Sequence, residues 1–492
     1  MSIIKKSFSA AAIVLAELLL FAFVCTAQEI EVAIKILSPD AVSVEGKFTG
    51  QNSNQSKANW TFLNSIAGAE NLGARISDFN LSDKQGRAVS FKKLAESEYL
   101  ADEEATGFSY RINIKPLPNP AAMAHVSWLA DGQGILMPGD LLPQVAANNQ
   151  IVPARIKFEL PTDWKIISGE KKSGENAYLV KDIEKAVFLV GKNWRERETA
   201  NLSLAISGEW EFSDAEALET AGEIYEEYRK LFGEIPVDKA QIFLIRFPKD
   251  VKFGRWAAET RGANLTIASA DMPFKSQSAQ RLHEQMRHEL FHLWMPNHLA
   301  LTGNYDWFYE GFTVYQALRT GVAMNRIRFE DFLDTLAQAY NFDNLQSRKV
   351  SLIELSKNRW SGSDNQVYAR GMLAAFLSDI ALLRESRGKR SIAAIFRDVY
   401  QKHRVPNEPA DGNAAILKIL KNYSELDPIN EKYITGTDEI NWKTDLETIG
   451  IEAKEENSVV RLAVKTKLNG RQKDLLDKLG YNNWRKASEK RK

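Results

Sequence analysis

The chain has 492 residues, more than one compact core normally holds, so two or three domains are expected. Its apolar share of 44% and charged share of 26% are those of a soluble globular protein. Sixty-four basic side chains balance 64 acidic ones, which leaves no electrostatic footprint for nucleic acid or for an anionic membrane.

Residues 1–27 stand apart. Lys5 and Lys6 precede an apolar run from Ala10 to Val24, and Thr26-Ala27 offers a small-residue cleavage site before the charged Glu29. This is the layout of a secretory signal peptide, so an exported protein, periplasmic or extracellular, is expected. Left uncleaved, the same segment would act as an N-terminal membrane anchor. Cys25 is the only cysteine and lies inside it, so the mature chain has neither a disulfide framework nor a thiol ligand. No later stretch reads as long and apolar enough to span a membrane.

From Glu29 to Trp210 the chain reads as strands. Ile30–Ile36, Arg111–Ile114, Arg155–Leu160 and Leu202–Ile206 alternate apolar and polar residues. Turn clusters at Gln51–Gln55, Pro116–Pro120 and Asp131-Gly132-Gln133-Gly134 separate them. The expectation is an antiparallel β-sandwich over residues 28–212. The texture changes at Ser213, which with Asp214 can cap a helix over Ala215–Phe232. Strands are expected at Gln241–Ile245 and Leu265–Ala268, and helices for most of the way from Ser278 to Tyr423. Residues 424–492 read as a mixed, polar C-terminal extension, with a strand at Val459–Ala463 and a helix at Gln472–Leu479.

The chemistry concentrates in His288-Glu289-Leu290-Phe291-His292, inside a helical stretch from Ala279 to Met295. Residues four apart share one helix face, so both imidazoles can reach one ion. Zinc favours imidazole nitrogen and needs three protein ligands with an open position for water. Glu289 stands where it can take a proton from that water. Pro296–Tyr305 contains Pro, Asn and Gly and would turn the chain back. A second helix then starts near Asp306, and its return would bring Glu310 beside the histidines. Aromatic neighbours make a solvent-exposed Glu310 improbable, and a buried carboxylate needs a partner such as a metal.

The segments HELFHLW and WFYEGFTVY resemble those of the gluzincin zinc metallopeptidases, most closely the glycyl-aminopeptidase-like family. That family is related to the larger membrane-alanyl and leukotriene-hydrolase type aminopeptidases. The resemblance implies an α+β chain: a β-rich N-terminal domain, then a mostly helical thermolysin-like catalytic domain over 213–423. It implies one zinc ion per chain on His288, His292 and Glu310, Glu289 as general base, and peptide substrates. Seventeen residues stand between His292 and Glu310, one fewer than the larger family usually has.

Val367-Tyr368-Ala369-Arg370-Gly371 is similar to the family's Tyr-x-Lys/Arg-Gly motif, which implies that Tyr368 donates to the oxyanion. Arg370 would either orient Tyr368 or bind a substrate carboxylate. Glu259, ahead of the strand at Leu265–Ala268, corresponds in place to the glutamate that binds the substrate's α-amino group in related aminopeptidases. The family's Gly-Ala-Met-Glu-Asn pattern is missing around it, and an exposed loop carboxylate is the alternative. Thr313 is a candidate partner for a ligand histidine, whereas His283 and His298 fall outside the site. An aminopeptidase is the leading expectation. An endopeptidase or carboxyl-side exopeptidase with the same site, a hydrolase of non-peptide bonds, and an exported binding protein without turnover remain alternatives.

Overall fold

The computed structural model describes residues 29–49, 59–145, 152–248, 251–347, 349–361 and 364–483. The expected signal peptide and the turn at 51–55 lie outside them.

The N-terminal unit is built on an eight-stranded sheet flanked by two four-stranded sheets over a common core. Its central strand, Glu29–Ser38, buries Ile30, Val32, Ile34 and Ile36 on one face, as period-2 alternation requires. That strand pairs antiparallel with Ala41–Thr49 but parallel with Ala154–Glu159. The sandwich is therefore mixed rather than purely antiparallel; alternation fixes which face is buried and carries no information on strand direction. The Asp131-Gly132 turn closes a hairpin between Trp128–Ala130 and Gln133–Leu136, both of its residues having positive φ (52° and 75°).

The second unit begins earlier than the expected boundary at Ser213. Arg195–Glu198 and Leu202–Ile206 belong to a five-stranded sheet that continues through Ala240–Arg246 and Asn264–Ser269 to an edge strand, Trp256–Arg261. Hydrophobic patterning gives these strands no label of ownership, so the change of texture at the first helix marks the wrong place. One face of this sheet (Ala205, Phe243, Ile245, Ala268) packs on the N-terminal unit. The other (Leu204, Ile206, Ile242, Leu244, Ile267) packs on the helices Asp214–Phe232 and Lys275–Phe291. Ser213 caps the first of these with a full capping box to Glu216.

A helix at Asn365–Glu385 is long and apolar enough to cross a membrane, contrary to the reading that no later stretch is, and 89% of its apolar window is buried inside the protein. It is the central core helix, apolar all round because other helices surround it. Nor is the segment after Tyr423 an appendage. Leu426, Ile434, Trp442, Leu446, Ile451, Leu475 and Leu479 belong to the same core as the helix Lys275–Phe291, and Trp442 stacks on Tyr340 at 4.1 Å between ring centroids.

Candidate metal centre and active site

The helix Lys275–Phe291 runs under the cleft face of the sheet, and His292 follows its last turn with helical φ and ψ. The Nδ1 of His292 lies 2.8 Å from the Met295 carbonyl. A carbonyl only accepts, so Nδ1 carries the proton and Nε2 presents a lone pair. The chain turns at 292–305 and returns through a π-helical turn, Trp307–Phe312, that continues as the helix Thr313–Ala323. Glu310 sits in that turn, a local widening found often at functional sites.

These elements bring His288 Nε2 and His292 Nε2 within 3.1 Å of each other. Glu310 Oε2 lies 3.1 Å from the first and 3.4 Å from the second. All three residues are mostly buried, and Glu310 Oε2 makes no hydrogen bond. A tetrahedral ion with bonds of about 2.0–2.1 Å separates its ligands by about 3.3–3.4 Å. One edge, 3.4 Å, meets that value and the other two, at 3.1 Å, fall slightly short of it, and the orphaned oxygen and facing nitrogens are the donor set such an ion requires. Among the described residues this is the only group of three His or acidic side chains close enough to hold a metal ion.

The charges around the site are organised by Arg359, which the sequence reading missed. It is buried, and its Nη1 reaches Glu310 Oε1 at 3.0 Å and Asp306 Oδ1 at 3.1 Å, while Nη2 donates to the Tyr368 hydroxyl at 2.7 Å. Burial alone would raise the Glu310 carboxyl; Arg359 and the two histidines outweigh it and hold it well below the usual range. Burial likewise pushes Glu289 up, only partly offset by the histidines and by Thr260. Thr260 Oγ1, on the edge strand, donates to Glu289 Oε2 at 2.7 Å. Asn297 ties that strand to the metal helix: its Nδ2 donates to the carbonyls of Thr260 (2.8 Å) and His292 (3.1 Å), and its Oδ1 accepts from Gly262 N.

Tyr368 stands beside the histidines, 6.1 Å from His288 between ring centroids. Its helix reaches Glu310 because two glycines meet: a Cβ on Gly371 would lie 2.7 Å from the Gly311 Cα. Glu259 lies on the edge strand, not in a loop before it, with its side chain 32% exposed and its Oε2 2.8 Å from His125 Nδ1 of the N-terminal unit. Burial would raise the Glu259 carboxyl, but the His125, Arg261 and Arg359 charges hold it at about 2. Trp360 bridges the two regions, edge-on to His125 at 5.8 Å and beneath the Arg359 guanidinium at 4.3 Å.

Two expectations are corrected. Arg370 is fully buried, pairs with Asp343 at 3.1 Å and donates to the Asp438 carbonyl. Its side chain points along the far side of its helix, so it touches neither Tyr368 nor the cleft. Thr313 Oγ1 is buried without a hydrogen-bond partner, and the Met295 carbonyl orients His292 instead. His283 and His298 lie outside the centre, His298 stacked on Tyr400.

Solved structures sharing the fold include an aminopeptidase N family protein from Idiomarina loihiensis, 16% identical, with a TM-score of 0.73 over 90% of this chain and 82% of that one. Another is an M1 zinc metallopeptidase from Deinococcus radiodurans, 13% identical in its E323A form bound to Tyr-Ser-Ala, with a TM-score of 0.54 over 84% of this chain and 95% of that one. No protein-family profile and no curated protein matches the sequence.

Proposed function

We propose that this protein is an exported, zinc-dependent aminopeptidase that removes N-terminal residues from peptides. The observation that carries the reading is the close spacing of His288 Nε2, His292 Nε2 and Glu310 Oε2, with Glu289 and Tyr368 beside the histidines. Bound zinc supplies Lewis acidity, polarising the scissile carbonyl and making water a nucleophile near neutral pH. Glu289, its Oε2 held by Thr260, takes the proton from water and passes it to the leaving amine. The Tyr368 oxygen accepts from Arg359, and the hydroxyl serves as the donor to the oxyanion. Glu259 faces the cleft from the edge strand as a partner for a substrate ammonium group. The finer likeness to the glycyl-aminopeptidase-like family rests on the motifs, and glycine preference follows from that likeness alone.

The test uses one peptide set, free and N-acetylated, with and without a chelator, read by mass spectrometry. Stepwise N-terminal loss from free peptides only, abolished by chelation, is expected. Internal cuts in both forms would replace the aminopeptidase reading with an endopeptidase, and no cutting by the zinc-loaded chain would remove the peptidase reading. Glu289→Gln should retain zinc by elemental analysis and lose about 10²–10⁴-fold in kcat. Wild-type turnover by that variant would refute the base assignment.

A further inference from the structure

Trp256 is the first residue of the edge strand Trp256–Arg261 and takes no part in the steps above. Register fixes where its side chain points. Trp256 stands opposite Ser269, whose hydroxyl accepts from Gln285 of the metal helix at 2.7 Å. Ala258 stands opposite Ile267, in the core on the metal-helix side, and Thr260 holds Glu289. Alternation therefore puts Trp256, Ala258 and Thr260 on the face that looks at the metal helix, while Glu259 looks the other way, to His125.

The indole is half-buried, yet among the described residues it joins none of the hydrophobic clusters that form the cores. Its ring instead meets the His288 imidazole edge to face, 6.5 Å between centroids. Large aromatic surface left outside the core and set against a metal-binding side chain is a contact surface for what occupies the centre. The two ends of that centre differ. Glu259, His125, Trp360 and Arg359 follow one another at 2.8, 5.8 and 4.3 Å and end on Glu310 at 3.0 Å, so the amine end is walled by the N-terminal unit. A peptide whose amine rests on Glu259 and whose carbonyl lies at the three ligand atoms must continue away from that wall. Trp256 stands in that direction, three residues or about 10 Å back along the strand from Glu259. The outer edge of the strand is open there: Trp256–Arg261 is the last strand of its sheet, and Asn297 engages its far end at Thr260 and Gly262.

We propose that Trp256 sets the specificity for the residue that follows the scissile bond, favouring peptides with a large apolar side chain, aromatic or branched, in second position. This rests on the aminopeptidase reading, because an amine held at Glu259 gives the peptide its direction. The indole offers that side chain a flat apolar wall beside the reacting carbonyl, and burial plus ring pairing reward it where glycine gains nothing. Ala258, next on the same face, contributes only a methyl group and leaves the wall to Trp256.

The test compares kcat/KM of the zinc-loaded full chain for release of the first residue from Ala-Phe-Ala, Ala-Leu-Ala and Ala-Gly-Ala. It is run on the wild type, Trp256→Ala and Trp256→Phe, each variant checked for zinc content and by circular dichroism. The wild type should favour the phenylalanine and leucine peptides over the glycine peptide by about tenfold or more. Trp256→Ala should bring that ratio close to one, and Trp256→Phe should keep most of it. A tryptophan that merely braced His288 would slow all three peptides by one factor and leave the ratio unchanged. An unchanged ratio in Trp256→Ala, or equal wild-type rates on all three peptides, would overturn the proposal and leave the aminopeptidase reading standing. No cutting of any free peptide would instead remove that reading, and the proposal with it.

Discussion

Arg359 holds a candidate metal ligand, a buried carboxylate and the candidate oxyanion donor at once, through two nitrogens of one planar group. A lysine ammonium in its place keeps the charge but has no fork to span Glu310 and Tyr368. Arg359→Lys should therefore retain zinc while kcat falls more than KM rises. If Arg359 acts through Tyr368, the same substitution should have little further effect on kcat in a Tyr368→Phe background, a coupling that a double-mutant cycle reads directly. Glu259 makes a separate prediction. Its folded carboxyl is held at about 2 against an ordinary 4.5, so it contributes stability that is fully present above the ordinary value and is lost as pH falls toward 2. Glu259→Gln should flatten the fall in stability between those limits, measured by denaturant unfolding at a series of pH values; an unchanged slope would mean the pairing with His125 carries no such linkage. The meeting of His288, His292 and Glu310 was legible in the sequence because it is written as short local spacings, and the same motifs bring Glu289 and Tyr368 beside the histidines. Arg359, Thr260, Asn297 and His125 were not, because each reaches the site from a segment with no motif of its own.

Among the elements, the contact that matters most joins the Glu310 turn to the Tyr368 helix. Gly311 and Gly371 let the two backbones touch, and a Cβ at Gly371 would also lie 2.9 Å from the Trp307 carbonyl. Gly371→Ala should cost about 1–3 kcal/mol in denaturant unfolding and reduce kcat by moving Tyr368. Gly222, inside the helix Asp214–Phe232 with open space where a Cβ would sit, is the matched control: Gly222→Ala should stabilise by about 0.5–1 kcal/mol. Most elements were readable from periodicity and caps, down to Leu202–Ile206 residue for residue. What periodicity cannot carry is partnership. It missed the parallel pairing of Glu29–Ser38 with Ala154–Glu159, and it assigned Leu202–Ile206 to the wrong sheet.

For the molecule as a whole, the decisive fact is that the last described residues complete the core. The helix Gly470–Leu479 buries Leu475, Leu476 and Leu479, and Arg319, on the helix that continues from Glu310, donates to the Lys478 and Leu479 carbonyls. Arg370 is anchored from the same direction by Asp438. A chain ending at Tyr423 should thus fail to give a soluble monomer, or give one that binds a hydrophobic dye and exposes its amides to hydrogen exchange across the metal helix. A truncated chain with native protection would show that the C-terminal segment is dispensable. The polar texture of residues 424–492 hid this, because their apolar residues are sparse, although most of the described ones are buried.

That closing segment also sets a schedule. A chain made from its N-terminus has both histidines, Glu310 and Tyr368 synthesised well before the layer that fixes their helices, and domains fold as units once their full complement of contacts exists. A partly synthesised chain would carry His288, His292 and Glu310 without the rigid frame that spaces them. The three side chains would then take up their spacing only after residues 470–479 have been made and packed.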